Sequence, residues 1–216
     1  TPPTGPTFVG LSANALDDEA DIEVIPAPRG YFGVRPDVDA IEEATQILSV
    51  ASSPVMVVGD SVAQSGASAE AVRVAEVLGA RVYASIYSEM NFPTNHPQYM
   101  GTVKLGYPES KEFFSAADAL LMVGKLISGY YMFSKPALRY FGTTTKLVHM
   151  DNDPEAVGKT QPTDVGLIAD PKMALAELAD ALEASMSGSI REAVKGRAVS
   201  LAEEKSVRKA ERQQRI

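Results

Sequence analysis

The stretch Ser53-Pro54-Val55-Met56-Val57-Val58-Gly59-Asp60 constrains this chain more than any other. Val55 to Val58 is an apolar run with three β-branched residues, closed by a glycine. A run this short with no polar face reads as a strand buried on both sides. Similar runs follow at Arg81–Ser85, Ala119–Gly124 and Lys146–Asp151. Helix-patterned segments separate them. That alternation predicts an α/β fold: a three-layer α/β/α, Rossmann-like domain with a parallel sheet of about six strands.

In open sheets of this kind, ligands bind outside the carboxyl ends of the strands. Gly59, Asp60 and Ser61 follow the first run, Ser85 ends the second, Gly124 ends the third, and Asp151, Asn152 and Asp153 end the fourth. With His96, in the loop Asn91–Gly101, these are the candidate cofactor-binding residues. Each also has a plainer reading. Asp151 and Asp153 can take ribose hydroxyls, or cap the turn before Pro154. His96 can touch a ligand, or brace its own turn. His149 alternates with Val148 and Met150 and fits a core or sheet-end histidine better than a ligand.

Several chemistries are excluded or weakened. A dinucleotide fingerprint needs G-x-G-x-x-G at the first strand-to-helix turn, so that backbone can approach a pyrophosphate. The turn here is Gly59-Asp60-Ser61-Val62-Ala63-Gln64-Ser65-Gly66, with only the first glycine in place. No P-loop, nucleophile elbow or metal-ligand spacing is present. No catalytic or metal residue is therefore assigned. The absence of cysteine removes thiolate chemistry. A formal net charge of −8 argues against nucleic acid. No run is long and apolar enough to span a membrane, and no signal peptide is visible, so a cytoplasmic location is expected. At 216 residues and 45% hydrophobic, the chain can build one full core plus appendages.

Taken in order, Pro6–Ser12 reads as a strand, either an edge of this sheet or the end of something earlier. Ala13–Arg35 reads as a linker. Asp37 can cap a helix bearing Ile41, Ala44, Leu48 and Ala51 on one face. Gly59–Gly66 reads as a polar loop, and Ala67–Leu78 as a helix with Val72, Ala75 and Leu78 inward, ended by Gly79. Asn91–Gly101 reads as a loop, since its prolines and asparagines forbid regular structure over most of it. Pro108–Ala117 is a helix with Phe113 and Phe114 as core candidates. The aromatic segment Lys125–Gly142 reads as a packed cover. A short strand at Val165–Ala169 precedes a helix started by Asp170-Pro171, with Ala174, Leu178, Ala181 and Leu182 buried. Beyond Ser187-Gly188-Ser189 the tail holds eight lysines and arginines against four acids, with few large apolar residues. It reads as a solvated helix or linker that orders only against another surface.

Five segments, in order and at roughly the spacing expected, resemble a known family. They are Gly5-Pro6-Thr7-Phe8-Val9-Gly10-Leu11, Pro54–Gly59, Asn91-Phe92-Pro93-Thr94-Asn95-His96-Pro97, Ala116–Gly124 and His149-Met150-Asp151-Asn152-Asp153-Pro154. The resemblance is to the middle domain of thiamine-diphosphate-dependent enzymes, a group that includes acetolactate synthase, benzoylformate decarboxylase and pyruvate decarboxylase. It implies a parent with three α/β domains, in which thiamine diphosphate and Mg²⁺ are held by a pyrimidine-binding and a diphosphate-binding domain. Neither domain's motif is here: Gly59-Asp60-Ser61 is not followed by the Asn-Asn pair of the diphosphate site. The acetolactate synthase branch binds FAD partly through a glycine-rich first turn, which Asp60 and Ser61 replace, so FAD is disfavoured. The benzoylformate decarboxylase branch carries a catalytic histidine after the third strand, where this chain has Tyr130 and Tyr131.

The resemblance assigns residues 1–35 to the end of a preceding domain plus a linker, 36–186 to the middle domain, and 187–216 to a basic connector. The chain starts at Thr1 rather than Met, which points to a fragment or a processed form. The expected work is non-catalytic: spacing the cofactor domains and supporting a homo-oligomer of the parent. The alternative is a nucleotide-binding module for FAD, ADP or a CoA ester at the strand ends.

Overall fold

A computed structural model describes residues 5–26, 33–86, 88–104, 110–124 and 141–214. The chain divides into two units, Thr1–Phe32 and Gly33–Ile216. In the first, one short helix, α1 (Ala13–Asp17), starts after Ser12, which stays extended and makes no side-chain cap. The expected strand at Pro6–Ser12 does not form, because an extended segment needs a neighbour to take its backbone hydrogen bonds. The expected linker instead carries α1.

In the second unit, Asp37 caps α2 (Val38–Ser49) by accepting from the Asp39 amide at 2.9 Å. Strand β1 (Pro54–Val58) follows, buried at every position. Gly59–Gly66, expected to be a loop, contains a short helix, α3 (Asp60–Gln64). Helix α4 (Ser68–Leu78) buries Ala71, Val74, Ala75 and Leu78, and Gly79 ends it in the left-handed conformation at φ +60°. Strand β2 (Arg81–Ser85) is followed by one that the sequence hides, β3 (Tyr99–Val103). Met100 is an extra residue against β2, since Val82 pairs with Tyr99 and Tyr83 with Gly101. A bulge and a glycine at φ +115° break the alternation that would advertise a strand.

Helix α5 (Ser110–Phe114) ends before the expected Ala117 and leads to β4 (Ala119–Val123); Pro108 and Glu109 lie outside the described residues. Phe114 is fully buried; Phe113 is more exposed and packs edge-on against Tyr83. After β5 (Lys146–Asp151) and β6 (Val165–Ile168) comes α6 (Pro171–Ser185), whose first amides bond to Asp170. Helix α7 (Gly188–Gln214) is last. Of the aromatic segment, Phe141 is described and buried. Tyr130, Tyr131, Phe133 and Tyr140 lie outside the described residues.

All six strands are parallel, in the order β3-β2-β1-β4-β5-β6. The chain winds from β1 to one edge, then returns to the other side of β1. Right-handed crossovers on the two halves therefore cover opposite faces. Helices α2, α4 and α6 pack on Met56, Val58, Leu121, Val123, Val148 and Met150. On the other face, Phe114 of α5 and Phe141 pack with Val55, Val57, Leu120, Met122 and Leu147. The three-layer expectation holds.

Helix α7 is docked on this unit. Val194 and Leu201 are buried, Arg197 Nη2 donates to the Leu78 carbonyl at 2.7 Å, and Arg81 pairs with Glu204 at 2.6 Å. Lys205 donates to the carbonyls of Thr94 and His96 and sits 5.5 Å from the Tyr99 ring centroid. The tail thus orders against a surface, as expected, and that surface is this unit's own.

Gly79 is the tightest point of the docking. A Cβ there would lie 3.0 Å from the Val194 carbonyl oxygen and 3.3 Å from Arg197 Nε, on a backbone that already disfavours side chains. Gly79→Ala is expected to cost about 1–3 kcal/mol, read as a lower urea midpoint at an unchanged slope.

Candidate functional site

Three neighbouring strands end together, and their ends are laced by backbone. Gly59 N donates to the Val123 carbonyl, and Gly124 N to the Met150 carbonyl, each at 2.7 Å. The chain then turns into α3 directly over Gly124. A Cβ on Gly124 would lie 3.1 Å from the Cβ and Oγ of Ser61 and 3.2 Å from the Gly59 carbonyl carbon. With φ at +89°, this position needs glycine on both counts.

Ser61 and Asp151 meet at this junction. Ser61 Oγ is 3.4 Å from each Asp151 carboxylate oxygen, and the Asp153 amide donates to Asp151 Oδ1 at 2.9 Å. Asp151 is 1% exposed. Burial pushes its carboxyl above the ordinary range; the Asp153 amide, His149 and Ser61 pull the other way. His149 points to the same face two residues earlier. Burial pulls its imidazole below the ordinary value, opposed by the Gly124 backbone and Asp151. Its Nε2 is buried without a hydrogen-bond partner among the described residues.

Most of the remaining strand-end candidates are held by local bonds, whereas the buried Ser85 Oγ has no partner among the described residues. Asp60 Oδ1 accepts from the Glu89 amide at 2.7 Å, and buried Asn91 accepts from the Ala63 amide at 3.1 Å, so the chain after β2 braces α3. Ser85 is buried, and its carbonyl accepts from Ser88 Oγ at 2.6 Å. Asp153 Oδ1 accepts from the Glu155 amide at 2.9 Å, the turn-capping geometry. Asn152 is half-buried beside it.

Thus Gly59, Asp60, Ser61, Ser85, Gly124, Asp151, Asn152 and Asp153 share one edge of the sheet. His96 does not join them. It precedes β3, whose first residue pairs with Val82 near the start of β2, so it sits at the amino edge. There its ring packs edge-on against Phe92 and its Nε2 lies 3.3 Å from Glu76. Sequence reading missed two residues. Asn91 was passed over inside a presumed loop. Asp118 carries no motif in the sequence, but its carboxylate accepts from the amides of Ser52 (2.6 Å) and Ser53 (2.9 Å), tying the entries of β1 and β4. Among the described residues no three metal-capable side chains cluster.

Comparison with known proteins places this architecture. The family model described as "Thiamine pyrophosphate enzyme, central domain" matches residues 41–178. A probable acetolactate synthase large subunit of Methanocaldococcus jannaschii is 30% identical over 185 residues, 82% of this chain and 31% of that protein. A sulfoacetaldehyde acetyltransferase of Roseovarius nubinhibens is 31% identical over 192 residues, 79% of this chain and 31% of its own length. The crystal structure of benzoylformate decarboxylase from Polynucleobacter necessarius superposes with a TM-score of 0.65. That match covers 76% of this chain and 30% of that one, and at 24% identity it is a likeness of fold. The chain thus spans about a third of the length of these curated relatives.

The two buried titratable groups have opposite linkage. His149 is held neutral in the folded state, so its contribution is complete above about pH 6.5 and is lost as pH falls towards its lowered folded value. The His149 share of stability should therefore fall in urea titrations as pH drops through about 6.5, and the difference in midpoint between wild type and His149→Gln should shrink below that pH. Asp151 is held towards its protonated form, so its folded-state penalty is greatest above its raised value and fades as pH falls. Asp151→Asn, which keeps the acceptor for the Asp153 amide, should unfold at neutral pH at an equal or higher urea concentration.

Proposed function

This chain belongs to the thiamine pyrophosphate enzyme central-domain family, and we propose that its work there is architectural. In this reading residues 36–186 are a spacer between a preceding and a following domain that hold thiamine diphosphate with Mg²⁺. Residues 1–35 lead in and 187–216 lead out. The domain contributes to a homo-oligomer of the longer protein and carries no catalytic residue of its own.

The observation that carries this reading is how the polar groups at the carboxyl edge are used. In the open sheets that bind ligands there, backbone amides and small residues leave room for phosphate. Here the Asp60 carboxylate holds the chain after β2, and Asp151 is buried against Ser61 and the Asp153 amide. Gly124 is filled over by α3. A diphosphate would meet two carboxylates and no open cradle, so these residues do not fit the diphosphate–Mg²⁺ pair. For the same reason a nucleotide at this edge is disfavoured, FAD, ADP and CoA esters alike. We assign Gly59, Asp60, Ser61, Ser85, Gly124 and Asp151–Asp153 the task of locking the strand ends into one rigid block. Rigidity is what a spacer needs, because catalytic geometry in other domains tolerates displacements well under about 1 Å.

Calorimetric titration of the purified chain with thiamine diphosphate and Mg²⁺ should give only heats of dilution. A saturable site of micromolar affinity would overturn the architectural reading.

A further inference from the structure

Where the carboxyl edge is closed and acidic, the amino edge is open and cationic. A cavity of about 380 Å³ lies there, within the size range of small-molecule sites. Ser52 and Ser53 border it ahead of β1, Arg81 at the start of β2, and Gly196, Arg197 and Ser200 on α7.

Arg197 is the unusual member. A guanidinium has five N–H donors and keeps its charge at any ordinary pH. Arg197 spends one donor on the Leu78 carbonyl, and its Nε is buried without a partner. Among the described residues no carboxylate bonds to it. The acid whose charge it feels, Asp118, bonds the Ser52 and Ser53 amides and not the guanidinium. Burial works against the Arg197 charge and pulls its pKa below the ordinary value.

Arg81 adds a second guanidinium. It bonds Glu204 at 2.6 Å, but Glu204 also holds Arg208 at 2.7 Å, so two arginines share that carboxylate. The end of α4, whose dipole would repel an anion, has its Leu78 carbonyl covered by Arg197. What remains is a partly buried cation that no carboxylate bonds among the described residues, with the charge of Asp118 acting on it from a distance, in a cavity lined by three serines. Charges in such places are paired, because leaving one unpaired is costly.

We propose that this cavity binds a small oxyanion, a carboxylate or phosphate group on a compact body, with Arg197 and Arg81 as its cationic contacts. The planar guanidinium fork suits both groups, since each offers two oxygens side by side. The serine hydroxyls complete the shell as neutral donors. Small residues on α7 leave the volume free: a Cβ at Gly196 would meet nothing within 4 Å.

The test is the thermal unfolding midpoint of the whole chain, with phosphate, acetate or chloride added at one fixed ionic strength. A saturable rise is expected with phosphate or with acetate and not with chloride, and the anion that saturates identifies the group recognised. Arg197→Gln should abolish the rise, but it also removes the bond to Leu78. Gly196→Leu is therefore decisive. It fills the cavity from a helix position that leucine favours over glycine, so the midpoint without anion should hold or increase. The apparent affinity should fall by at least about tenfold. No saturable rise with either oxyanion, an equal rise with chloride, or a rise that Gly196→Leu preserves would each overturn the proposal.

Discussion

β1 has no face to give to water and no edge to leave unpaired. The arrangement of the α/β unit depends on that constraint. Its side chains alternate between the two cores, with Met56 and Val58 in one and Val55 and Val57 in the other. Its backbone pairs with β2 on one side and β4 on the other. A strand so placed must have strands on both sides and cover on both faces, and in a parallel sheet the cover comes from the crossovers. The return of the chain from β3 to β4 follows, because only a second winding puts α5 on the face that α2, α4 and α6 leave bare.

The same constraint decides what the strand ends can do. Since β1, β4 and β5 must stay paired to their last residues, Gly59 and Gly124 extend the ladder by one bond each. That extension draws α3 down onto Gly124 and brings Ser61 to Asp151. In a ligand-binding relative of this architecture the same corner is held open for phosphate. Here it is closed by side chains and backbone of the chain itself. The group that could have signalled a site, a buried carboxylate with a raised pKa, is the keystone of the closure.

Elements with strong side-chain signatures were legible in the sequence. The apolar runs of β1, β4 and β5, the Asp-Pro start of α6 and the Gly79 stop of α4 each act through the residue that displays the signal. The elements that escaped are held by backbone or by irregularity. β3 is masked by its bulge, and α3 is a single short stretch from Asp60 to Gln64. The position of His96 away from the other candidates follows from β3. A crossover between parallel strands must return to the amino edge before the next strand begins, so residues just ahead of a strand cannot lie at the carboxyl edge. Without β3, the loop had no direction.

The docking of α7 shows why a polar tail can be part of a fold without looking like one. An amphipathic stripe announces itself because apolar side chains need apolar partners. α7 buries little more than Val194 and Leu201, and besides the Arg81–Glu204 pair its attachments run from cations to carbonyl oxygens at Leu78, Thr94 and His96. Carbonyls have no signature in sequence, since every residue has one. The carbonyls used here stand where regular structure gives out: the last residue of α4 and the passage from β2 to β3, which holds no helix among the described residues. At such places backbone acceptors have spare capacity, and the His96 carbonyl takes Lys205 in addition to the Tyr99 amide. A basic helix lying across them donates to those acceptors, and in doing so it brings Arg197 and Lys205 to this edge. The cationic character of the amino edge is thus a by-product of the way the last helix is attached.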